Sequence, residues 1–231
     1  MNAASLKVIS SMATRELLAA LAAQYASDTG QAVATEAAGG VDVAKRVAAG
    51  EVVDVVVLAA NAIDKLMADG ALQAGTRVDL VKSGVAIAVR AGAHEFPIAT
   101  EADVKAAVLA APSLGYSTGP SGVYLEKLFE RWGILEQIRA RIVVPQPGVP
   151  VGALVASGTV ALGFQQLSEL INLDGIKVLG PLPDAIQNMT IFAGGISASS
   201  RAPEAARELL EYMASAQAVQ SKQQHGMEAA D

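Results

Sequence analysis

Short apolar runs alternate with longer segments of helical periodicity along almost the whole chain of 231 residues. The run Val52–Leu58 is rich in valine and is interrupted only by Asp54, which is typical of a strand buried on both faces of a sheet. Helices placed between successive strands require crossover connections, so the pattern predicts α/β sheets with parallel strands. The chain is 52% hydrophobic but only 4% aromatic, and small aliphatic side chains suit helices packed closely on such sheets.

The predicted elements follow from the apolar period and from glycine and proline breakers. The predicted strands are Leu6–Ile9, Ala32–Ala37, Val52–Leu58, Val85–Val89, Leu114–Tyr116, Ile142–Val144, Val160–Phe164, Ile176–Leu179 and Thr190–Phe192. The predicted helices are Thr14–Tyr25, Val41–Ala49, Asn61–Asp69, Glu101–Ala110, Val123–Trp132, Val151–Ser157 and Ala202–Ser215. The tail from Gln217 is expected to be helical or frayed.

Charge and composition exclude several classes of protein. A net charge of −6 disfavours binding to nucleic acid or to an anionic membrane. No run of 18 uncharged apolar residues occurs, so we expect no membrane-spanning segment. Cysteine is absent, which excludes disulfides and thiol catalysis, and His94 and His225 have no metal-ligand spacing. We therefore expect neither a metal nor another cofactor.

Known catalytic and nucleotide motifs are also missing. Gly39-Gly40 lacks the third glycine of a dinucleotide fingerprint, and no phosphate-binding loop follows a predicted strand. No nucleophile elbow positions a serine. Residues 1–6 have neither the basic nor the apolar part of a leader. We expect a periplasmic protein if a leader was removed from this sequence, and a cytoplasmic protein otherwise.

Three polar segments stand where a predicted strand ends and a helix begins. They are Ser10–Thr14, Ala38–Asp42 and Ser117–Gly122. Each one alone is compatible with an ordinary helix N-cap. Together they favour a shared anion site, because helix N-termini offer free N–H groups at the carboxyl ends of strands.

Charged side chains near these segments allow two interpretations. Arg15, Lys45 and Arg46 are either solvated helix surface or partners of a ligand carboxylate, for which arginine offers two parallel donors. Glu36 and Asp42 either orient the glycine turn or act as a base in an enzyme.

The order of these segments resembles the molybdate-binding-like type II periplasmic binding proteins over nearly the whole chain. The resemblance is carried by Ser10–Leu17, Gly39-Gly40, Ala44–Gly50, Asp54–Val57, Ser121–Tyr124 and Val151–Gly158. It implies two doubly wound α/β lobes with a two-segment hinge and a ligand held between them. We expect residues 1–82 and 191–231 to form lobe 1 and residues 83–190 to form lobe 2. The chain would cross near Val81–Gly84 and Pro183–Ile191.

The resemblance also implies individual ligand contacts. Ser11 corresponds to a hydroxyl donor, and Ser121 and either Val149 or Val151 correspond to backbone donors. Two positions depart from the molybdate pattern: Val41 replaces a hydroxyl residue, and no tyrosine occurs in Phe164-Gln165-Gln166. The predicted ligand-binding residues are Ser10, Ser11, Arg15, Gly39, Gly40, Ser117, Thr118, Ser121, Val149, Val151, Gln165 and Gln166.

Two functions remain open on this basis. The first is a substrate-binding protein for a small anion, either an oxyanion such as molybdate or a di- or tricarboxylate, that serves an ABC-type permease. The missing hydroxyls, with Gln165, Gln166, Thr118 and Arg15 or Arg46, favour an organic anion. The alternative is a cofactor-independent isomerase of an unsaturated acid, similar to the aconitate isomerase-like branch of the fold, with Glu36 and Asp42 as candidate bases. A structural or interaction module is the least favoured class.

Overall fold

The structure is a computed structural model that describes residues 5–146 and 148–230. Residues 1–4, part of the segment in which the sequence predicts no leader, lie outside the described residues. Contacts between Cα atoms divide the chain into two compact units. Unit 1 consists of the described residues up to Lys82 and from Ile191 onward, and unit 2 is Ser83–Thr190.

Strands and helices alternate through both units. The strands are β1 (Leu6–Ser11), β2 (Val33–Ala38), β3 (Val55–Ala59), β4 (Val78–Arg90), β5 (Leu114–Tyr116), β6 (Ile142–Val143), β7 (Leu162–Gln166), β8 (Ile176–Pro181), β9 (Met189–Ile196) and β10 (Glu228–Ala229). The helices are α1 (Arg15–Thr29), α2 (Gly40–Ala48), α3 (Ala60–Ala68), α4 (Glu101–Ala110), α5 (Pro120–Arg131), α6 (Leu135–Ile138), α7 (Val151–Ala156), α8 (Leu167–Leu170), α9 (Pro203–Ala214) and α10 (Val219–Gln224).

The sheet of unit 1 is parallel at its centre. β1 pairs in parallel with β2 and with β3, since α1 and α2 supply the crossovers, and β9 pairs antiparallel with β3. Side chains of β3 alternate between two cores. Val55 and Val57 pack with α1 and α9, whereas Val56 and Leu58 pack with α2 and α3. Helices on both faces confirm the doubly wound prediction for this unit and the buried valine-rich strand.

Unit 2 has a mixed sheet. β5 pairs in parallel with β6 and β7, and β4 pairs antiparallel with β7 and β8. One face is covered by α4, α5 and α6, and the other face by α7 and α8. Gly163 allows α7 to approach the sheet, because a Cβ atom there would lie 2.4 Å from Cγ2 of Val155.

The observed elements differ from the predicted ones mainly at their ends. α1 continues to Thr29 rather than Tyr25 and stops at Gly30, whose φ of 77° is the left-handed conformation of a helix C-cap. β4 begins at Val78, whereas the predicted strand begins at Val85. The prediction was too short because Asp79, Lys82 and Ser83 interrupt the apolar pattern. α6 is only 4 residues long, too short for a periodic pattern to reveal it.

Within residues 5–146 and 148–230, no helix combines the length and the hydropathy needed to cross a bilayer.

Candidate functional site

The carboxyl ends of β1, β2 and β3 lie together at one edge of the unit 1 sheet, here called the carboxyl edge of unit 1. Ser11, the last residue of β1, is the register partner of Ala38, the last residue of β2. The Ser11 side chain is buried, with a relative exposure of 9% for the residue. Its Oγ atom has no hydrogen-bond partner among the described residues, which is unusual for a buried hydroxyl.

Gly39 and Gly40 form the turn from β2 into α2 beside Ser11. A Cβ atom at Gly40 would lie 3.7 Å from the Ser11 Cβ atom and 3.8 Å from Cδ2 of Leu58. These are ordinary van der Waals distances, so the first residue of α2 lies directly beside Ser11. The neighbouring Ser10 is also buried, and its hydroxyl donates to the Ser11 carbonyl oxygen at 3.2 Å.

The helix N-termini at this edge carry no side-chain caps. Ser11 precedes a short 3₁₀ turn that leads into α1, Gly39 precedes α2 and Ala59 precedes α3, and at none of these three positions does a side chain of a described residue cap the helix. Uncapped N–H groups and helix dipoles favour a negative charge nearby. The carboxyl edge of unit 1 can therefore accept an anion, with the Ser11 hydroxyl as an additional donor.

The charged residues predicted near this edge bind one another. Arg15 is exposed and lies 2.7 Å from Glu16. Arg46 donates hydrogen bonds at 2.6 Å to the carboxylates of Glu36 and Glu51. These bonds lower the pKa of Glu36 and of Glu51 and raise the pKa of Arg46. A carboxylate with a lowered pKa is a weaker proton acceptor, which disfavours Glu36 as a general base.

Asp42, the other candidate base, lies in the first turn of α2, where a negative charge is stabilised by the helix dipole. Its side chain is exposed, as is that of Lys45 on the same helix. A stabilising role at the helix N-terminus explains Asp42 without a catalytic function.

The carboxyl edge of unit 2 is formed by the ends of the parallel strands β5, β6 and β7. After β5, Ser117 Oγ accepts a hydrogen bond from the N–H group of Gly119 at 3.2 Å, and Thr118 is exposed. α5 then begins at Pro120, and Ser121 in its first turn is 1% exposed. Gly122 is required here, because a Cβ atom would lie 1.6 Å from the Ser117 carbonyl oxygen.

The segment after β6 supplies the two candidate backbone donors. The N–H group of Val149 donates to the Gln146 carbonyl oxygen at 3.0 Å, so this donor already has a partner within the loop. Val151 is fully buried and is the first residue of α7, after Pro150. Of the two alternatives, the first helical turn at Val151 is the better placed to offer an N–H group.

Gln165 and Gln166 end β7 and are both almost fully buried. Gln165 Oε1 accepts from the N–H group of Gly152 at 3.3 Å, and its Nε2 atom donates to Glu169 Oε1 at 2.7 Å.

Gln166 holds the start of β9 against β4. Its Nε2 atom donates to the carbonyl oxygens of Ser83 and Gly84 at 2.9 and 3.2 Å, and its Oε1 atom accepts from Thr190 Oγ1 at 2.9 Å. Gln166 therefore ties together unit 2 residues next to both points where the chain passes between the units.

Ser168 and Glu169 were not among the predicted site residues, although they lie on α8 directly after the end of β7. Glu169 is half-buried, and the Ser168 Oγ atom is buried without a hydrogen-bond partner in the described part of the chain. The signal was available, since the polar run after the predicted strand Val160–Phe164 is the same strand-to-helix pattern that identified the other turns.

The two histidines have structural contacts. His94 packs edge-on against Phe96 with ring centroids 5.0 Å apart, and His225 Nδ1 lies 2.7 Å from the Ser221 carbonyl oxygen. Among the described residues, no group of three His, Cys, Asp or Glu side chains is placed to hold a metal ion.

Known structures share this fold. The periplasmic molybdate-binding protein of Azotobacter vinelandii superposes with a TM-score of 0.81 at 22% identity, over 96% of this chain and 98% of that chain. The sulfate-binding protein SubI from Mycobacterium tuberculosis H37Rv gives a TM-score of 0.81 at 14% identity, over 99% of this chain and 88% of that chain. At these identities the likeness shows the fold alone.

A further relative is more similar in sequence than these two structures. An aconitate isomerase from Pseudomonas sp is 42% identical over 185 residues, which cover 79% of this chain and 70% of the relative. The model of the family described as bacterial extracellular solute-binding protein matches residues 6–228. The fold of two α/β units agrees with these matches. The chain belongs to the bacterial extracellular solute-binding protein family.

Proposed function

We propose that the protein binds a small organic anion that carries carboxylate groups. The observation that carries the proposal is the buried Ser11 hydroxyl, which has no partner among the described residues and lies beside the N-terminus of α2. A buried hydroxyl without a hydrogen bond destabilises a protein by about 1–3 kcal/mol. A ligand oxygen at the carboxyl edge of unit 1 would remove that penalty and would also meet the uncapped helix N-termini.

Val41 supports a carboxylate rather than a tetrahedral oxyanion. It is the second residue of α2 and has a relative exposure of 61%, although valine is usually buried. A tetrahedral oxyanion beside this side chain would have one oxygen without a hydrogen bond, because Val41 offers an apolar surface where a hydroxyl residue would offer a donor. An anion with a carbon skeleton can place its carboxylate at Ser11 and its hydrocarbon part against Val41.

Unit 2 offers polar groups of its own at its carboxyl edge, and we propose that these also favour an anion with a carbon skeleton. Ser117, Ser121 and the first turn of α7 supply polar groups there, and Val123 adds an apolar surface with 51% exposure in the first turn of α5.

Titration calorimetry and thermal-shift measurements test this proposal. The probes are cis-aconitate, trans-aconitate, citrate, molybdate and sulfate, each added to the wild-type chain and to two variants. Ser11→Ala should weaken carboxylate binding roughly 10- to 100-fold, which corresponds to one hydrogen bond to a charged group. Ser27→Ala on the exposed face of α1 is the matched control and should bind normally. The proposal fails if no carboxylate binds or if both variants bind alike.

A second function, isomerisation of an unsaturated acid, is favoured by one observation. The relative that is 42% identical over 79% of this chain is an aconitate isomerase. Proton NMR of cis- and trans-aconitate incubated with the wild-type chain tests this function, and interconversion above the uncatalysed rate is the expected result. If the spectra stay unchanged after prolonged incubation while aconitate still binds, the isomerase function fails and the protein is a binding protein.

The partner and the location follow from the family as proposals. Membership of an extracellular solute-binding family supports action outside the cytoplasmic membrane and delivery of ligand to an ABC-type permease. Fractionation of cells that express the full-length native gene product tests the location. Recovery in the cytoplasmic fraction alone would contradict it.

A further inference from the structure

Glu169 lies at the carboxyl edge of unit 2, where a ligand for the proposed isomerase would be held. The segments that follow the parallel strands there are residues 117–119, 144–150 and 167–170. Their sequences contain one acidic residue, Glu169. Its position matches that of the serine-rich and glycine-rich turns already described, because all of them follow the carboxyl end of a strand.

Gln165 fixes the Glu169 carboxylate. The Gln165 side chain is 2% exposed, and its Nε2 atom donates to Glu169 Oε1 at 2.7 Å. Its Oε1 atom accepts from the N–H group of Gly152 at 3.3 Å, so the amide itself is anchored to the first turn of α7. Because both ends of the amide are bonded, Gln165 holds one oxygen of the Glu169 carboxylate in a fixed position.

The Ser168 hydroxyl is the second unusual group at this place. Its Oγ atom is buried and has no hydrogen-bond partner in residues 5–146 and 148–230. This hydroxyl is adjacent to Glu169 in sequence and has an unused donor, which is the kind of group that stabilises developing negative charge on a bound ligand.

The other candidate bases are less suitable. Glu36 pairs with Arg46 and its side chain is 58% exposed, and Asp42 is exposed at the N-terminus of α2. Neither is oriented by a buried side chain, whereas Glu169 is. The geometry therefore favours the residue that sequence reasoning passed over.

We propose that Glu169 is the catalytic acid and base of an allylic isomerisation, with Gln165 as its positioning residue; this inference rests on the isomerase activity proposed above. The Glu169 carboxylate removes a proton from the CH₂ carbon that lies between a carboxylate and the C=C bond. The electron pair of that C–H bond forms the new C=C bond, and the electron pair of the old π bond shifts to its far carbon. That carbon takes the proton back from Glu169, so substrate and product have the same atoms and charge, and no oxidant is needed.

The test compares binding with turnover in four chains. Wild type, Glu169→Gln, Gln165→Ala and Glu136→Gln are measured by calorimetry with cis-aconitate and trans-aconitate, and by NMR for kcat, KM and exchange of substrate protons with D₂O. Glu136→Gln is the matched control, because Glu136 pairs with Arg139 and its side chain is 82% exposed. Glu169→Gln should bind within about threefold of wild type, with kcat and proton exchange reduced at least about 100-fold.

Gln165→Ala distinguishes positioning from a structural role. Loss of the amide donor removes a group that stabilises the ionised carboxylate, so the acidic limb of the kcat profile should move to higher pH. A purely structural defect would lower kcat without moving this limb.

Three outcomes would overturn the inference. If the wild-type chain does not interconvert the aconitates, the isomerase function fails and the inference fails with it. If wild type turns over and Glu169→Gln has a kcat within threefold of it, Glu169 is not the base and the isomerase function stands. If Glu169→Gln loses binding and kcat in the same proportion, Glu169 is a binding group rather than the group that moves the proton.

Discussion

The Tyr212 hydroxyl donates a hydrogen bond to Oδ2 of Asp28 at 2.8 Å and so joins α9 to the last turn of α1. The two helices pack on the same face of the unit 1 sheet, where the Tyr212 ring also meets the Tyr25 ring edge-on at 5.1 Å. Burial, the hydrogen bond and the nearby charge raise the pKa of Tyr212 to about 12. The contact therefore has a pH dependence that can be measured.

We expect the Tyr212 contact to stabilise the protein up to about pH 10 and to weaken between about pH 10 and 12, since the unfolded phenol loses its proton first. Tyr212→Phe should lower the free energy of unfolding at pH 8 by about 1 kcal/mol, the typical contribution of one hydrogen bond. Urea unfolding of both chains at pH 8, 10 and 11 checks this. The difference between them should shrink at the highest pH, and a constant difference would contradict the assignment.

Gly122→Ala should destabilise unit 2 by about 3 kcal/mol or more, because its Cβ atom would overlap the Ser117 carbonyl oxygen at 1.6 Å. The measurement is the midpoint of thermal or urea unfolding. Gly119→Ala is the control, since its Cβ atom would approach Ser117 Oγ only to 3.3 Å. Equal midpoints for the two variants would show that the Ser117–Gly122 turn adapts without strain.

Val41→Ser should change the preferred class of anion. The new hydroxyl would add a donor beside Ser11 and remove apolar surface, so the ratio of oxyanion to carboxylate affinity should rise about tenfold, equivalent to one modest hydrogen bond. Calorimetry with molybdate, sulfate and citrate measures this ratio. Val52→Ser is the control and should leave the ratio unchanged, because Val52 is also exposed but precedes the amino end of β3, away from Ser11.

Gln166→Leu should lower the free energy of unfolding by about 2–3 kcal/mol, because it removes the bonds to two β4 carbonyls and leaves the buried Thr190 hydroxyl without its partner. Urea unfolding monitored by circular dichroism measures the loss. Gln220→Leu on the exposed side of α10 provides the comparison and should change stability by less than about 0.5 kcal/mol. A similar effect of both variants would mean that the Gln166 bonds contribute little.

The sequence predicted the elements whose pattern is local. α4 and β5 have the predicted bounds, because Thr100 forms a capping box with Asp103 and the Leu114–Tyr116 run is short and apolar. The full length of β4 was not predictable from hydropathy, since its residues 79, 82 and 83 are polar and interrupt the apolar pattern by which a strand is recognised.

The candidate site divides in the same way. Ser11 and Gly40 could be located from their place between strand and helix, because that pattern is a property of neighbouring residues. The bonds of Gln165 to Glu169 and of Arg46 to Glu36 and Glu51 could not be read from it. These bonds depend on the direction in which a long side chain extends from its helix or strand, and on which residues the intervening turns place near it. Whether the predicted ligand contacts form stays a prediction.

The order of the segments along the chain also governs how the protein can be assembled during synthesis. β3 is paired along its length by β9, and all of unit 2 is translated between these two strands. When β1, β2 and β3 have left the ribosome, the antiparallel neighbour of β3 does not yet exist, and Val55–Leu58 has an unprotected edge. Unit 2 is contiguous and can fold as soon as it emerges, whereas unit 1 must wait for its C-terminal segment. A chaperone that shields the nascent β3 edge would therefore benefit unit 1 more than unit 2.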